Sequence, residues 1–443
     1  MSLTTPEKIR TLQRKLYIKA KQEPAFRFYA LYDKVSREDI LSHSWRLVRA
    51  NQGSPGIDGV SFAAIEKGEG VEKFLRDLSR ELQERSYRAQ PVRRVMIPKA
   101  DGSKRPLGIP TIRDRVVQMA VKLVIEPIFE ADFSAHSYGF RPGKSAHDAV
   151  DDIANALWGG HTQVIDADLS KYFDTIPHDK LLTMVAQRIV DGGILSLIKQ
   201  WLKAPIIGED EEGKRRTVGG GKGNSKGTPQ GGVISPLLSN VYLHILDRIW
   251  QRHDLRSKLG AHLVRYADDF VVLCKRGEEE PFKVVRQVLD RLGLSLNESK
   301  THIVDATKEG FEFLGFTIQM SRGAKSGKPY PNVRPSNKAV QKIKTRIKDL
   351  TGRELTCIPL RDVVANVNRS LQGWVNYFHY RNSSQVMSGV RYHTEERLRT
   401  HLRRRHKVKC RRTAYIRFPR TDLYGRYGLY KPPTEVGWKS AHA

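Results

Sequence analysis

The chain has 443 residues, 39% of them hydrophobic, a size and apolar content that support several packed units and exclude wholesale disorder. Its 77 Lys and Arg against 48 Asp and Glu leave a formal net charge of +29, a self-repulsion that a polyanion such as nucleic acid would offset. Three scattered cysteines exclude a disulfide framework or a four-cysteine zinc site, and no signal core or bilayer-length apolar run is present, so a cytoplasmic protein is expected.

Taken in chain order, Ile9, Leu12 and Leu16, then Ile40, Leu41, Trp45 and Val48, recur at helical spacing and predict helices within the first 50 residues. The turn-rich stretch Asn51-Gln-Gly-Ser-Pro-Gly-Ile-Asp-Gly59 breaks them, and a further helix is predicted over 71–82. Residues 92–98 alternate like a strand, Asp101-Gly102 makes a hairpin turn, and 105–109 returns. Residues 114–129 are apolar at helical spacing. Ser145-x-x-Asp148 has the form of a capping box and starts another helix, which Gly159-Gly160 ends. Val164 and Ile165 then enter a short buried strand that stops at Asp168. Residues 208–228, rich in Gly and Lys, read as a mobile loop or flexible hairpin.

A helix is predicted from Ser235-Pro236, and 262–266 and 270–274 read as two strands joined by Ala267-Asp268-Asp269. Strands and helices interleave without a regular βαβ repeat, which gives an α+β fold. Beyond Asn337, Val340, Ile343, Ile347 and Leu350 form an apolar stripe with Lys342 and Arg346 outside it, and 361–380 is a second amphipathic helix. Residues 391–420 are densely basic.

Two places concentrate carboxylate where it is costly. Asp168 ends an apolar strand, and Asp268 and Asp269 are forced together at a hairpin tip between apolar strands. A bound cation relieves both problems. Hard oxygens from separate backbone segments suit two Mg²⁺ ions about 3.5–4 Å apart, which activate a 3′-hydroxyl and neutralise a triphosphate. Each Asp taken alone is equally an ordinary turn former.

At this point the sequence resembles a known family, the bacterial group II intron-encoded reverse transcriptases and maturases. Tyr266-Ala-Asp-Asp269 resembles their palm signature, and Val164-Ile-Asp-Ala-Asp-Leu-Ser-Lys-Tyr-Phe-Asp174 the first palm motif. The register of the latter puts the metal ligand on Asp168, with Asp166 the runner-up. Gly227-Thr-Pro-Gln-Gly-Gly-Val-Ile-Ser-Pro236 resembles the next motif, in which Gln230 lies against nucleotide and template. Gly293-Leu-Ser-Leu-Asn-Glu-Ser-Lys300 resembles the fourth, whose Lys300 protonates pyrophosphate. Phe313-Leu314-Gly315-Phe316 resembles the primer grip.

The resemblance implies a right-hand polymerase, with fingers and an antiparallel-sheet palm, an α-helical thumb and a basic C-terminal region. It assigns Lys99 and Arg105 to the triphosphate. Tyr172 is expected beside C2′ of the sugar, excluding ribonucleotides. The expected cofactor is a pair of Mg²⁺ ions, with Mn²⁺ able to substitute. The expected partners are group II intron RNA, a DNA target and primer, and deoxynucleoside triphosphates, with no membrane.

The organisation expected is an N-terminal extension and start of the fingers over 1–90, fingers and palm over 91–330, thumb or maturase domain over 331–385, and a basic DNA-binding region over 386–443. Leu371-Gln-Gly-Trp-Val-Asn-Tyr-Phe378 resembles the thumb. Nucleic-acid contacts are expected from Lys342, Arg346, Arg403, Arg404, Arg405, Lys407, Arg411 and Arg412, basic residues with Tyr424, Tyr427 and Tyr430 following. The His-Asn-His endonuclease carried by many relatives is not expected. A polymerase recruited to host defence or repair, or a splicing-only maturase, is the alternative reading.

Overall fold

The computed structural model describes residues 4–98, 102, 104–209, 214–228 and 230–435. In chain order its strands are β1 (Val92–Pro98), β2 (Lys104–Ile109), β3 (Gln163–Ala167), β4 (Ile206–Glu209), β5 (Arg215–Gly219), β6 (Ala261–Tyr266), β7 (Asp269–Cys274), β8 (His302–Asp305), β9 (Phe311–Phe313), β10 (Phe316–Arg322) and β11 (Pro329–Pro335). They form three sheets, ordered β2-β1-β4-β5, β6-β7-β3-β8 and β11-β10-β9. The chain packs as two compact units, Met1–Ala149 with Ile165–His302, and Val150–Val164 with Ile303–Ala443.

In the first unit the helix Ile112–Glu130 is buried over most of its surface, with Val116, Val117, Ala120, Val121, Val124 and Ile125 inside together with the polar Asp114, Arg115 and Gln118. Thr111 caps it by accepting from Asp114 N at 3.2 Å. The helices Glu7–Gln22 and Glu38–Ala50 pack on it. β1 and β2 pair antiparallel from Arg93–Ile109 to Pro98–Lys104, the hairpin expected there, and Gly102 takes φ +80°; Asp101 of the expected turn lies outside the described residues. Residues 208–228, expected as a loop or a hairpin, contain the end of β4 and all of β5, which pair antiparallel as a second hairpin.

The helix Ser235–Arg252 begins with Pro236 in its first turn, where the missing N–H costs nothing. Below it β6 and β7 pair from Ala261–Cys274 to Tyr266–Asp269. Both strands are buried along nearly their whole length; β7 is a continuous apolar run after Asp269, whereas β6 buries His262 and Arg265 among its apolar residues. Phe270, Val271, Val272 and Leu273 are fully buried, each contributing about 1.5–3 kcal/mol. That burial anchors a hairpin whose tip is acidic.

In the second unit β9, β10 and β11 form an antiparallel sheet. The helices Asn337–Leu350, Leu360–Phe378 and Ser384–Arg405 enclose Ile343, Ile347, Leu371, Val375, Met387 and Val390. A second cluster joins Val364 and Val367 to Leu398, Leu402, Ala414 and Phe418. The densely basic segment is therefore packed helix, not a free arm. Among the described residues no helix is long and apolar enough to cross a membrane.

Candidate active site

The β6–β7 register leaves Ala267 and Asp268 as the turn between Tyr266 and Asp269. Ala267 takes φ +58°, a left-handed conformation that costs a residue with a Cβ about 1–2 kcal/mol. Gly139 backs the turn so closely that a Cβ there would strike the nitrogen of Ala267.

Asp168 follows the last residue of β3 and faces this turn. Asn297 N donates to its carbonyl at 2.8 Å, Asn297 Nδ2 donates to its Oδ2 at 3.1 Å, and Lys300 Nζ lies 3.6 Å from the same oxygen. Ser170 N donates to Ser295 O at 2.9 Å, so the segment 293–300 is laid along the chain that carries the carboxylate. Burial raises the Asp268 carboxyl, and the charge of Asp168 adds to the rise against Arg105 and Arg265. Asp269 is exposed at its tip, yet desolvation, then Asp268 and Asp168, push it up to about 6 against Lys300 and Arg105. Asp168 is a carboxylate that presses on both. Asp268 and Asp269, both raised by burial and by the charge of Asp168, lie with Asp168 on separate backbone positions in an arrangement that fits a hard divalent cation.

Arg105 leaves β2 to reach the same place: its Nε donates to Gln230 Oε1 at 2.8 Å, and Gln230 Nε2 lies 3.5 Å from Asp174 Oδ1. Gly108 N donates to Gln230 O at 2.6 Å. Gly231 takes φ +113°, and a Cβ there would strike Gly108 O, which accounts for the glycine after Gln230. A cavity of about 370 Å³ opens beside these residues, lined by Arg94, Leu107, Gly108, Lys171, Asp174 and Gln230 among others. Lys99 lies outside the described residues.

Tyr172 departs from its sequence expectation. Its ring is fully buried and its hydroxyl donates to Ser239 O at 2.8 Å. Enclosed in this way, the ring presents no open face to the sugar expected beside it. Phe173 is its edge-on neighbour, with ring centroids 5.4 Å apart.

Comparison with known proteins decides the family. Residues 97–318 match the family model described as reverse transcriptase (RNA-dependent DNA polymerase), and residues 340–418 match the group II intron, maturase-specific domain. The chain is 36% identical over 353 residues to Protein YkfC of Escherichia coli K12, covering 71% of this chain and 89% of that protein. The chain belongs to the group II intron-encoded reverse transcriptases. It is an RNA-directed DNA polymerase joined to a maturase domain of the kind that serves intron splicing and mobility. The fold is the mixed α+β polymerase architecture, with antiparallel sheets and a helical C-terminal region.

Two other relatives are longer. LtrA of Lactococcus lactis is 28% identical over 407 residues, 76% of this chain and 62% of LtrA. The putative COX1/OXI3 intron 1 protein of Saccharomyces cerevisiae is 27% identical over 380 residues, 74% of this chain and 43% of that protein.

Elsewhere in the reverse transcriptase, Phe313 and Phe316 are buried. Phe316 packs with Tyr377, Phe378 and Tyr380, at centroid distances of 5.6, 5.3 and 6.3 Å. Only the turn between them, Leu314 at φ +50° and Gly315 at φ +81°, is partly open. In the maturase region Lys342, Arg346, Arg404, Lys407, Arg411 and Arg412 are exposed and Arg403 is half-buried. Arg405 is committed internally, donating to Thr356 O at 2.9 Å and to Ile358 O at 2.5 Å. Arg411 also pairs with Glu396 at 3.0 Å.

Sequence reasoning missed Asn297, which had only its place in the fourth motif to mark it. It also missed Arg265, although a charged residue inside the apolar run before Tyr266 is itself a signal.

Proposed function

We propose that this reverse transcriptase copies RNA, with its group II intron as the natural template, by joining a DNA primer's 3′-hydroxyl to a deoxynucleoside triphosphate at Asp168, Asp268 and Asp269. The observation that carries the reading is the convergence of these three side chains, 100 and 101 residues apart along the chain, into one mutually repelling cluster faced by Lys300 and Arg105. Two Mg²⁺ ions held there, with Mn²⁺ able to substitute, would supply the charge neutralisation and the acidified hydroxyl that the transfer needs.

The chain's own groups do the rest. Arg105, a planar fork on β2, and Lys99 hold triphosphate oxygens, and Gln230 exchanges its contact with Arg105 for one with the incoming nucleotide. Lys300, beside Asp168, is placed to give a proton to the departing pyrophosphate. The turn at Leu314 and Gly315 presents backbone to the primer, held from behind by Phe313 and Phe316. Lys342, Arg346, Arg403, Arg404, Lys407, Arg411 and Arg412 bind intron RNA and target DNA through phosphates, with Arg405 as part of their scaffold.

Primer extension on an RNA template tests the reading. Asp268→Asn is expected to lower the rate by about three orders of magnitude while RNA affinity is retained, because the basic surface is untouched. Undiminished synthesis would remove the assignment.

A further inference from the structure

The catalytic turn is held from below by a side chain that none of the transfer steps uses. Arg265 is fully buried. Its Nε donates to Asp247 Oδ1 at 3.1 Å and its Nη2 to Asp247 Oδ2 at 2.5 Å. Its Nη1 donates both to Asn240 Oδ1 at 3.0 Å and to the carbonyl of Ala267 at 2.9 Å. Asn240 and Asp247 are seven residues apart on the helix Ser235–Arg252, and therefore share one face of it, and both are buried. Asn240 Nδ2 in turn donates to Gly139 O at 2.7 Å, and Gly139 is the residue pressed against Ala267. The same loop clamps the strand: Arg265 N donates to His136 O at 3.0 Å, and Tyr138 N donates to Arg265 O at 2.8 Å. His244 Nδ1 lies 3.7 Å from Asp247 Oδ2, the oxygen that also accepts from Arg265 Nη2.

We propose that Arg265, Asp247 and Asn240 are positioning residues that fix the left-handed turn at Ala267 and so set where Asp268 and Asp269 present their oxygens to a divalent cation. The inference rests on the reading of those carboxylates as metal ligands. Stability alone is a poor account of the network, because a buried ion pair seldom repays its desolvation and apolar residues would fill the same space. A network aimed at one carbonyl has another use. A left-handed alanine persists only where its surroundings over-determine it, and the carbonyl that Arg265 grips belongs to that alanine. The next two side chains are the ligands, so rotation of this one peptide would move both.

The test uses the full chain. Asp247→Leu/Arg265→Met removes both charges together, so no orphaned charge is left to unfold the protein. The expected result is an unchanged melting temperature and RNA affinity, with kcat for primer extension on RNA lowered about 10–100-fold and KM for the nucleotide unchanged. In the absence of nucleic acid, the Mn²⁺ half-saturation read by electron paramagnetic resonance should rise about tenfold. Ala267→Gly in that background, which frees the turn of its Cβ penalty, should recover part of both losses.

Wild-type Mn²⁺ affinity and kcat in the folded double variant would overturn the proposal. If that variant does not fold, Gly139→Ala is read the same way, since it pushes on Ala267 and leaves the ion pair intact; unchanged metal affinity there overturns the proposal. Failure of the underlying site reading is separately visible, as undiminished Mn²⁺ binding in Asp268→Asn.

Discussion

Ala267 and Leu314 are two of the residues with a side chain that this reverse transcriptase holds at positive φ, and their turns are held by different means. At Ala267, φ +58°, the hold is polar and directional: a buried guanidinium, an amide and a carboxylate, each with a defined partner. At Leu314, φ +50°, the hold is aromatic, with Phe316 among Tyr377, Phe378 and Tyr380, and Tyr377 donating its hydroxyl to Leu314 O at 3.0 Å. Hydrogen bonds fix angles, and packing fixes volume. A turn whose neighbours must meet a cation with sub-ångström tolerance needs the former. A turn proposed to offer backbone to a flexible polymer is served by the latter.

The sharpest way to break this contrast is to empty the aromatic cluster. Phe316→Ala should destabilise the second unit by about 3–5 kcal/mol, read by denaturant melting, because the cavity is walled by rings that cannot close it. A loss below about 1 kcal/mol would mean that packing is not what holds Leu314.

A smaller effect is expected on the polar side, at Tyr172. Tyr172→Phe removes one buried hydrogen bond to Ser239 O and should cost about 1 kcal/mol. Tyr172→Val should leave ribonucleotide discrimination nearly unchanged, since the ring is enclosed. A large rise in ribonucleotide incorporation would restore the direct sugar contact expected from the sequence.

The smallest effect concerns charge at the catalytic turn itself. Asp269 sits at about 6 when folded, against about 3.9 in an unfolded chain, so the folded state keeps its proton longer. The associated stability is complete below the unfolded value and is lost as pH rises through the folded one. In chelator, Asp269→Asn should therefore leave the melting temperature unchanged at pH 4 and raise it by about 1–3 °C at pH 7.5. The gain is small because the carboxylate is partly open to water. Equal shifts at both pH values would show that the change acts through shape instead.

The contrast also explains what could be read from the amino-acid string. Tyr266-Ala-Asp-Asp269 was legible because it is local: an apolar run, an acidic tip and a second apolar run make a hairpin whatever surrounds them. The strands, the capping box at Ser145 and the two amphipathic helices were legible for the same reason, and Ser145 and Asp148 do exchange bonds, N to Oδ2 at 2.7 Å and N to Oγ at 3.2 Å. Asn297 beside Asp168 was not, since 129 residues separate the pair and only the folded chain says which loops become neighbours. The inward turn of Tyr172 follows from a helix of four residues begun by Lys171 at φ +46°, too short to leave a periodic signal. Arg405 looked like its basic neighbours because composition does not record which cation has found carbonyls of its own.

That the basic segment is folded has a consequence for the way it would meet a partner. Arginines strung on a loose arm adapt to any strand and lose their freedom at the moment of contact. Here Leu398, Leu402, Ala414 and Phe418 have already fixed the backbone beneath Arg403, Arg404, Arg411 and Arg412. The spacing of the cations is thus a property of the protein, and the surface acts as a template that rewards a polyanion of matching contour over one that is merely charged.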